Sequence, residues 1–172
     1  HWKKVITETL GVEPVMINSN LVSAQDRKRL YWTNILNVTQ PEDKKIFLKH
    51  IMEDVVSEKY NITERFYKKI EGTLAYKKAR GNCRTPDRKS KTLTTSGHSI
   101  SNSGSTNIKI SDSFLRIPTP IECERLQTVP DNYSAVVSNS QRYKMLGNGW
   151  TVDVIAHIFS SIEQKCSYEN AS

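Results

Sequence analysis

The most constraining feature of the sequence is a helix near its C-terminal end whose start and stop are both encoded by residue type. Thr119 followed by Pro120, with Glu122 three positions after the threonine, has capping-box spacing and predicts a helix start. Pro130 disfavours helical geometry at the residue before it, so the helix is predicted to end near Gln127. A helix fixed at both ends determines where the chain must turn.

A second pair of helices is predicted directly after it. Residues 141–146 form a short helical pattern, Gly147-Asn148-Gly149 interrupts it, and an apolar helical repeat runs over residues 152–159. A Gly-Asn-Gly turn between two helices suits a backbone that must approach another group closely. The plainer interpretation of the same residues is a corner where two helices pack.

Composition and charge restrict the class of protein. A chain of 172 residues with 37% hydrophobic and 25% charged residues describes a globular protein with one ordinary core, or with one core plus a small satellite. No apolar run approaches the roughly 20 residues that span a bilayer, so no membrane partner is expected. The net charge of +7 is uneven, because residues 1–111 carry the basic excess and residues 112–172 are mildly acidic. A polyanion-binding surface in the first part is one interpretation, and a lysine-rich solvated face is the other.

The cysteines and the N-terminus indicate the cellular setting. Cys83, Cys123 and Cys166 form neither a CxxC pair nor an even disulfide framework, which favours a reducing compartment and a cytoplasmic protein. The histidines are too scattered for a metal site. The first residues open directly into a helical pattern, which is not that of a signal peptide, and the chain is expected to begin in the middle of a longer protein.

Toward the N-terminus the pattern alternates short helices and strands. A helix over residues 3–10 is predicted to stop at Gly11, and two following strands are predicted to pair with each other. These strands fall within residues 13–18 and 23–35. Residues 41–60 are predicted to form an amphipathic helix or a helix-like connector, with Ile46, Ile51 and Val55 facing inward. A further helix is predicted over residues 63–70, with Thr63 as its cap.

Basic residues cluster in two places along this first part. Arg27 and Arg29 alternate on the second predicted strand, which would place both on one face, either as a solvated edge or aimed at a phosphate or base. Residues 77–91 predict a basic, turn-rich loop suited to phosphate groups. Strands at residues 92–94 and 108–110 are then predicted to enclose a polar loop, for which a flexible linker is the alternative.

Three segments resemble conserved motifs of the DNA cytosine-5 methyltransferases. Residues 23–34, with the pattern Gln-x-Arg-x-Arg, resemble the eighth motif, residues 125–133 the ninth, and residues 146–155 the tenth. The resemblance implies an α/β fold: the terminal portion of a Rossmann-like methyltransferase sheet plus a small, mostly β target-recognition domain. It divides the chain into the last strands of the catalytic domain (1–36), the target-recognition domain (37–118) and returning C-terminal helices (119–172).

The resemblance also implies roles for single residues. Arg27 and Arg29 would lie near a flipped cytosine and its phosphate, and Asn148, Gly149 and Trp150 beside the cofactor S-adenosylmethionine. The sequence has Gly149 where the family usually has serine, so only its backbone N–H is expected to bind, and Trp150 could equally belong to the core. Together with the charge pattern, the expected contacts to double-stranded DNA are Gln25, Arg80, Arg84, Arg88, Lys89, Lys91, Thr92, Ser96, Gly97 and His98.

Three signatures of the complete enzymes do not occur in the sequence: the Pro-Cys nucleophile, the Glu-Asn-Val acid and the Phe-x-Gly-x-Gly cofactor turn. The chain alone is therefore predicted to be inactive, with an N-terminal catalytic part supplied by the same or a separate chain. Its unpaired strands would favour a homo-oligomer. A bacterial or phage origin is expected. The alternatives are a non-catalytic DNA-binding or regulatory module and a fragment of an RNA cytosine methyltransferase.

Overall fold

The computed structural model describes residues 1–95, 106–111 and 114–169, so the expected DNA contacts Ser96, Gly97 and His98 lie outside the described residues. No helix within these ranges is both long enough and apolar enough to cross a membrane. The helices are α1 (Trp2–Leu10), α2 (Glu64–Ile70), α3 (Leu74–Gly81), α4 (Pro120–Leu126), α5 (Asn139–Asn148) and α6 (Val152–Glu169). The strands are β1 (Val15–Asn18), β2 (Lys28–Tyr31), β3 (Asn61–Ile62), β4 (Cys83–Arg84), β5 (Asn107–Lys109) and β6 (Leu115–Arg116).

The two strands predicted near the N-terminus pair with each other as expected. β1 and β2 run antiparallel, with Ile17 opposite Arg29. Gly11 ends α1 with a φ of 68°, a left-handed conformation that glycine adopts without strain. Helix α6 packs on the strand pair, and its buried Val154 and Ile158 form a core cluster with Ile17 and Val22. The first and last parts of the chain are therefore packed together.

A second, mixed sheet has the strand order β3-β6-β5-β4 among the described residues. The pair β4 and β5 is parallel, whereas β5 and β3 both pair with β6 in the antiparallel sense. Thr63 caps α2 as predicted, because its side chain accepts a hydrogen bond from the backbone N–H of Phe66. The described residues therefore combine two sheets with helices, which makes this an α/β structure.

The long helix predicted over residues 41–60 is wrong. This segment is irregular, with short 3-10 turns at Leu48–His50 and Glu58–Tyr60, and Val55, expected inside, is 88% exposed. The physical reason is that the backbone donors are used elsewhere: the N–H of Leu48 bonds to the carbonyl of Arg88, and the N–H of Lys49 bonds to that of Pro86. Contacts with a distant segment replace the helical ladder.

Two predictions for residues 77–94 also need correction. The first residues of the predicted basic loop belong to α3, which Thr73 caps through its side chain, so Arg80 lies on a helix. Residues 92–94 are not a strand, because their polar groups bond to an earlier segment. The hydroxyl of Thr92 donates to the carbonyl of Asp26 at 2.7 Å. Their predicted partner is confirmed as a strand, since β5 includes Ile108.

The C-terminal helices follow their sequence signals closely. α4 has Thr119 at its N-cap, with both halves of the predicted capping box formed, and Gln127 at its C-cap. α5 is longer than predicted, because Gly147 and Asn148 remain helical and the break falls at Gly149. The N–H of Gly149 donates to the carbonyl of Met145 at 2.8 Å, which continues the helical ladder by one more bond.

Candidate functional site

Two groups of residues that are far apart in the sequence meet in one open cleft. Arg27 directly precedes β2 and Arg29 lies within it, whereas Asn148 ends α5 and Trp150 follows that helix. The cleft has a volume of about 400 Å³. Its complete lining is Arg27, Arg29, Leu30, Tyr31, Trp32, Thr33, Asn148, Trp150, Ile155, Ile158 and Phe159.

The apolar part of this cleft comes largely from residues that sequence reasoning did not assign to a site. Phe159 is 56% exposed, and Trp32, whose indole N–H donates to the hydroxyl of Thr7, contributes a second aromatic ring. Trp150, for which a place in the core was an alternative, is 66% exposed. A signal was available, because Ile155 and Phe159 lie one helical turn apart. Aromatic side chains that stay exposed in a concave surface are suited to a flat ring.

Arg27 and Arg29 line the same cleft but have different surroundings. Arg27 is only 4% exposed and precedes β2, whereas Arg29 is exposed and donates to the neighbouring carbonyl of Lys28. Arg27 donates to the carbonyls of Leu93 at 2.7 Å, Gly149 at 2.9 Å and Gly147 at 3.2 Å. Burial lowers the pKa of Arg27, and the charge of Arg29 lowers that pKa further.

Gln25, expected at the DNA, is fully buried instead. Its amide nitrogen donates to the carbonyl of Leu126 at 3.2 Å and to the side-chain oxygen of Gln127 at 3.3 Å. Its own oxygen accepts the backbone N–H of Leu93 at 2.6 Å. Because burying an amide without partners is costly, these bonds explain why a polar residue occupies the core. The expectation of a DNA contact by Gln25 is corrected accordingly.

Gln127 and Thr151 continue this network toward the C-terminal helices. The amide nitrogen of Gln127 donates to the carbonyl of Leu146, and the hydroxyl of Thr151 donates to the Gln127 side-chain oxygen at 2.9 Å. The backbone N–H of Val152 bonds to the carbonyl of Gln127 at 3.0 Å. We refer to the side chains of Gln25, Arg27, Gln127 and Thr151 as the central polar network.

Gly147 allows the closest approach of two backbones in this region. A Cβ atom at Gly147 would lie 2.2 Å from the carbonyl carbon of Thr94 and 2.3 Å from the nitrogen of Thr95. The prediction that the Gly-Asn-Gly segment approaches another group closely is therefore confirmed for Gly147, and the group is the protein backbone. The N–H of Gly149, expected to serve a cofactor, is already used by the carbonyl of Met145.

A second open cleft of about 600 Å³ contains part of the predicted DNA-binding surface. Arg84, Arg88 and Lys89 line it, whereas Arg80 lies on α3, where its guanidinium is 5.7 Å from the ring centre of Tyr76. The other lining residues are Phe47, Cys83, Thr85 and Asp87. The structure thus brings three of the expected contacts together, with Arg80 on a neighbouring helix.

The two lysines among the expected contacts, Lys89 and Lys91, bond within the protein. The ammonium of Lys89 donates to the carbonyls of Asn20 at 2.6 Å and Ser23 at 3.0 Å, and that of Lys91 donates to the side-chain oxygen of Asn82 at 2.7 Å. Burial lowers the pKa of both lysines. These side chains hold the basic segment against the body of the protein, so the arginines are the residues of this surface best suited to phosphate.

The two described cysteines have different surroundings, because Cys83 lines the second cleft with Arg84, Arg88 and Lys89. Cys123 is completely buried in α4, and burial raises its pKa, as do the neighbouring Glu122 and Glu124. The thiol of Cys83 is half-buried and lies 3.5 Å from the carbonyl of Ala79. A reactive thiolate requires an electropositive site that lowers the pKa, which excludes Cys123. Within the described ranges no group of three or more His, Cys, Asp or Glu residues could hold a metal ion.

The fold is that of an α/β methyltransferase. The structure of the Entamoeba histolytica methyltransferase EhMeth superposes with a TM-score of 0.72 at 17% identity, over 95% of this chain and 58% of that one. The chain belongs to the C-5 cytosine-specific DNA methylase family, whose sequence model matches residues 11–164. The earlier assignment of the family from three motifs is confirmed.

Two relatives of this chain are type II methyltransferases from bacteria. The chain is 27% identical to the type II methyltransferase M.MspI of Moraxella over 92% of its own length and 41% of that protein. It is also 27% identical to the type II methyltransferase M.DsaV of Dactylococcopsis salina, over 91% of this chain and 45% of that protein. The chain therefore spans less than half the length of these two relatives.

Proposed function

We propose that this chain is the target-recognition and C-terminal part of a DNA cytosine-5 methyltransferase. Joined to a catalytic part, in the same or a separate chain, it would transfer a methyl group from S-adenosylmethionine to C5 of cytosine. The observation that carries the proposal is the shared cleft, in which Arg27 and Arg29 meet Asn148 and Trp150. In this scheme residues 1–36 complete the catalytic domain, residues 37–118 recognise the target, and residues 119–172 return to the catalytic domain.

The shared cleft has the chemistry to hold one side of S-adenosylmethionine. Its volume of about 400 Å³ falls within the roughly 300–1,000 Å³ of small-molecule sites, and aromatic and aliphatic side chains line it. Trp150 and Phe159 would cover the adenine ring, and Asn148 would donate or accept a hydrogen bond at its edge. The cofactor, when bound, supplies an electrophilic methyl group.

Arg27 and Arg29 have different roles in the proposed reaction. Arg29, exposed at the mouth of the cleft, is placed to bind a phosphate or the flipped base, because its guanidinium remains accessible. Arg27 donates its hydrogen bonds to backbone carbonyls, so it would contribute its positive charge without contacting the base. This division supports a narrower role for Arg27 than the family resemblance implied.

The duplex would lie on the surface formed by Arg80, Arg84 and Arg88. Phosphate neutralisation by such side chains supplies most sequence-independent affinity for DNA, and the net charge of +7 favours the encounter. Recognition of particular bases would come from the segment after Thr92. A non-catalytic DNA-binding module would share this surface, and an RNA methyltransferase would share the cleft.

Binding and reconstitution test the proposal separately. The triple charge reversal of Arg80, Arg84 and Arg88 to Glu should abolish binding to duplex DNA, measured by fluorescence anisotropy at several salt concentrations. The matched control reverses Lys3, Lys4 and Lys144, which are exposed residues outside the second cleft, and should retain most of the affinity. If the first variant binds as well as the parent, the placement of the duplex is wrong.

Methyl transfer is then measured after adding the catalytic part of a family member in trans. Transfer to cytosine in duplex DNA supports the proposed enzyme. Transfer only to RNA of the same sequence would identify RNA as the substrate. Binding to DNA without transfer, with a catalytic part that associates with the chain, would favour the non-catalytic module.

A further inference from the structure

Arg27 joins two segments that the proposed function assigns to different tasks. Its guanidinium donates to the carbonyl of Leu93 in the recognition segment (residues 93–95) and to the carbonyls of Gly147 and Gly149 in the cofactor corner (residues 147–151). The side chain is almost completely buried, and its guanidinium donates to backbone carbonyls of the described residues. A buried cation whose charge is satisfied by several carbonyls holds those carbonyls in fixed positions.

The rest of the central polar network ties the same two segments. Gln25 accepts the N–H of Leu93, and its amide nitrogen lies within hydrogen-bond distance of the Gln127 side chain. Gln127 in turn donates to the carbonyl of Leu146 and accepts the hydroxyl of Thr151. The side-chain nitrogen and oxygen of both Gln25 and Gln127 therefore have hydrogen-bond partners.

The backbones of the two segments also touch directly. At Gly147 there is no room for even a Cβ atom, because the carbonyl carbon of Thr94 would be 2.2 Å away. Close-packed segments of this kind transmit displacement, since neither can move without the other or without opening a gap. Residues 93–95 and residues 147–151 are thus joined by side-chain hydrogen bonds and by direct contact.

We propose that the central polar network couples the recognition segment (residues 93–95) to the cofactor corner (residues 147–151), so that binding at one changes the affinity of the other. Arg27 is the main positioning residue of this coupling, and it acts through the carbonyls rather than by touching the base. The identity of the two ligands, duplex DNA and S-adenosylmethionine, rests on the proposed function. Coupling of this kind is reciprocal, so each ligand would raise or lower affinity for the other by the same factor.

A first experiment tests the coupling without any ligand. Arg27→Lys keeps the charge but loses the planar fork that reaches both segments, so it should disturb them together. Hydrogen exchange of the full chain, followed by mass spectrometry, should show residues 91–95 and 147–152 both exchanging roughly tenfold faster, the factor expected for losing one hydrogen bond to a charged donor. Arg29→Lys is the matched control and should change neither segment.

Two outcomes of this comparison would overturn the proposal. One is faster exchange in only one of the two segments, and the other is no change in either. Should Arg27→Lys fail to fold, Thr151→Val serves in its place, because it removes a single hydroxyl bond to Gln127 at nearly constant volume. This variant should also accelerate exchange in both segments, and an effect confined to residues 147–152 would count against the coupling.

A second experiment adds a DNA duplex and separates the coupling from a merely structural role. In the parent, the duplex should slow exchange at residues 147–152 as well as at 91–95. In Arg27→Lys the duplex should still bind and protect residues 91–95, but protection at 147–152 should disappear. Protection confined to residues 91–95 in the parent would overturn the coupling. If the parent binds no duplex, the proposed function fails, and the ligand-free comparison alone decides whether the two segments are coupled.

Discussion

Among the described glycines, Gly147 has the least room for an added Cβ atom. Alanine there would place a methyl group 2.2 Å from the backbone of Thr94, and backbone cannot move aside as a flexible side chain can. We expect Gly147→Ala to lower the free energy of unfolding by about 3 kcal/mol or more, in the range of overpacked and strained sites. Urea unfolding measures the loss.

Gly81 offers the matched control for this change. It ends α3, and an added Cβ atom would meet nothing within 4 Å. Gly81→Ala should therefore be neutral or stabilise by up to about 1 kcal/mol, because alanine restricts the unfolded chain. Equal losses for the two variants would contradict the close approach at Gly147.

Glu124 predicts a particular response to acid. It accepts the backbone N–H groups of Asn132 and Ser134, the hydroxyl of Ser134 and the guanidinium of Arg142. Burial alone would raise its pKa, but the hydrogen bonds from Ser134 and Arg142 outweigh burial, so the pKa lies below its usual value. The stability that Glu124 contributes is therefore complete above about pH 5 and is lost as the pH falls through the lowered pKa.

Glu124→Gln should remove this contribution and leave an amide nitrogen facing donors. We expect a loss of about 2–4 kcal/mol at pH 7 and a flatter dependence of stability on pH below about pH 5. Thermal unfolding between pH 3 and pH 7 measures both. The control Glu13→Gln, at an exposed position, should follow the parent, and an unchanged acid dependence in Glu124→Gln would contradict the assignment.

Single residues also show where sequence reasoning reached its limit. Arg27 and Arg29 were expected on one face of a strand, and both line one cleft although Arg27 lies outside β2. Nothing in their spacing indicates that Arg27 is buried under carbonyls and Arg29 is exposed. Gln25, which belongs to the same motif, was expected at the DNA and is buried instead. Their surroundings depend on Leu93 and Gly149, which lie far along the chain, so they became visible only in the folded structure.

At the scale of elements, α4 depends on its N-cap. The side chain of Thr119 accepts the N–H of Glu122, and its hydroxyl also bonds to the carboxylate of Glu53 in the irregular segment. Thr119→Ala should lower stability by about 2 kcal/mol, the upper end for a lost cap, because it breaks both bonds. Thr119→Ser should recover most of this loss in urea unfolding.

Ser138 caps the neighbouring α5 and provides a comparison. Its hydroxyl accepts the N–H of Gln141 at 3.4 Å, and it makes this bond at an exposed position. Ser138→Ala should cost about 0.5–1 kcal/mol, the usual range for a solvent-exposed cap. A loss as large as that of Thr119→Ala would show that the contact with Glu53 contributes little.

Elements with local signals were predictable, and elements fixed by distant partners were not. Caps and stops placed α1, α2 and α4, because the residues that determine them are neighbours in sequence. The amphipathic pattern of residues 41–60 suggested a helix, yet the backbone of this segment bonds to residues 86–88. Apolar periodicity reports which side chains are buried, and it cannot report which carbonyl a backbone donor will find.

At the scale of the whole molecule, the pairing of β1 and β2 leaves a small sheet with an outward apolar face. Met16 lies opposite Leu30, and they are 53% and 38% exposed. Our prediction of a homo-oligomer through these strands implies that the parent sediments as a dimer or a larger assembly and that Met16→Lys sediments as a monomer. Val55→Lys, at a position 88% exposed, is the control and should not change the sedimentation coefficient. A parent that stays monomeric at all concentrations would refute the prediction.

The central polar network has a consequence for the time course of folding. Its hydrogen bonds join residues that are far apart: Arg27 reaches a carbonyl 66 positions away and another 122 positions away, and Gln25 bonds to a residue 101 positions away. Closing such long loops costs chain entropy before any contact repays it, and proteins dominated by long-range contacts fold slowly. The capped helices should therefore form early, and the contact between residues 93–95 and residues 147–151 should form late. During synthesis on the ribosome, the guanidinium of Arg27 therefore stays hydrated until its carbonyl partner at Gly149 has emerged.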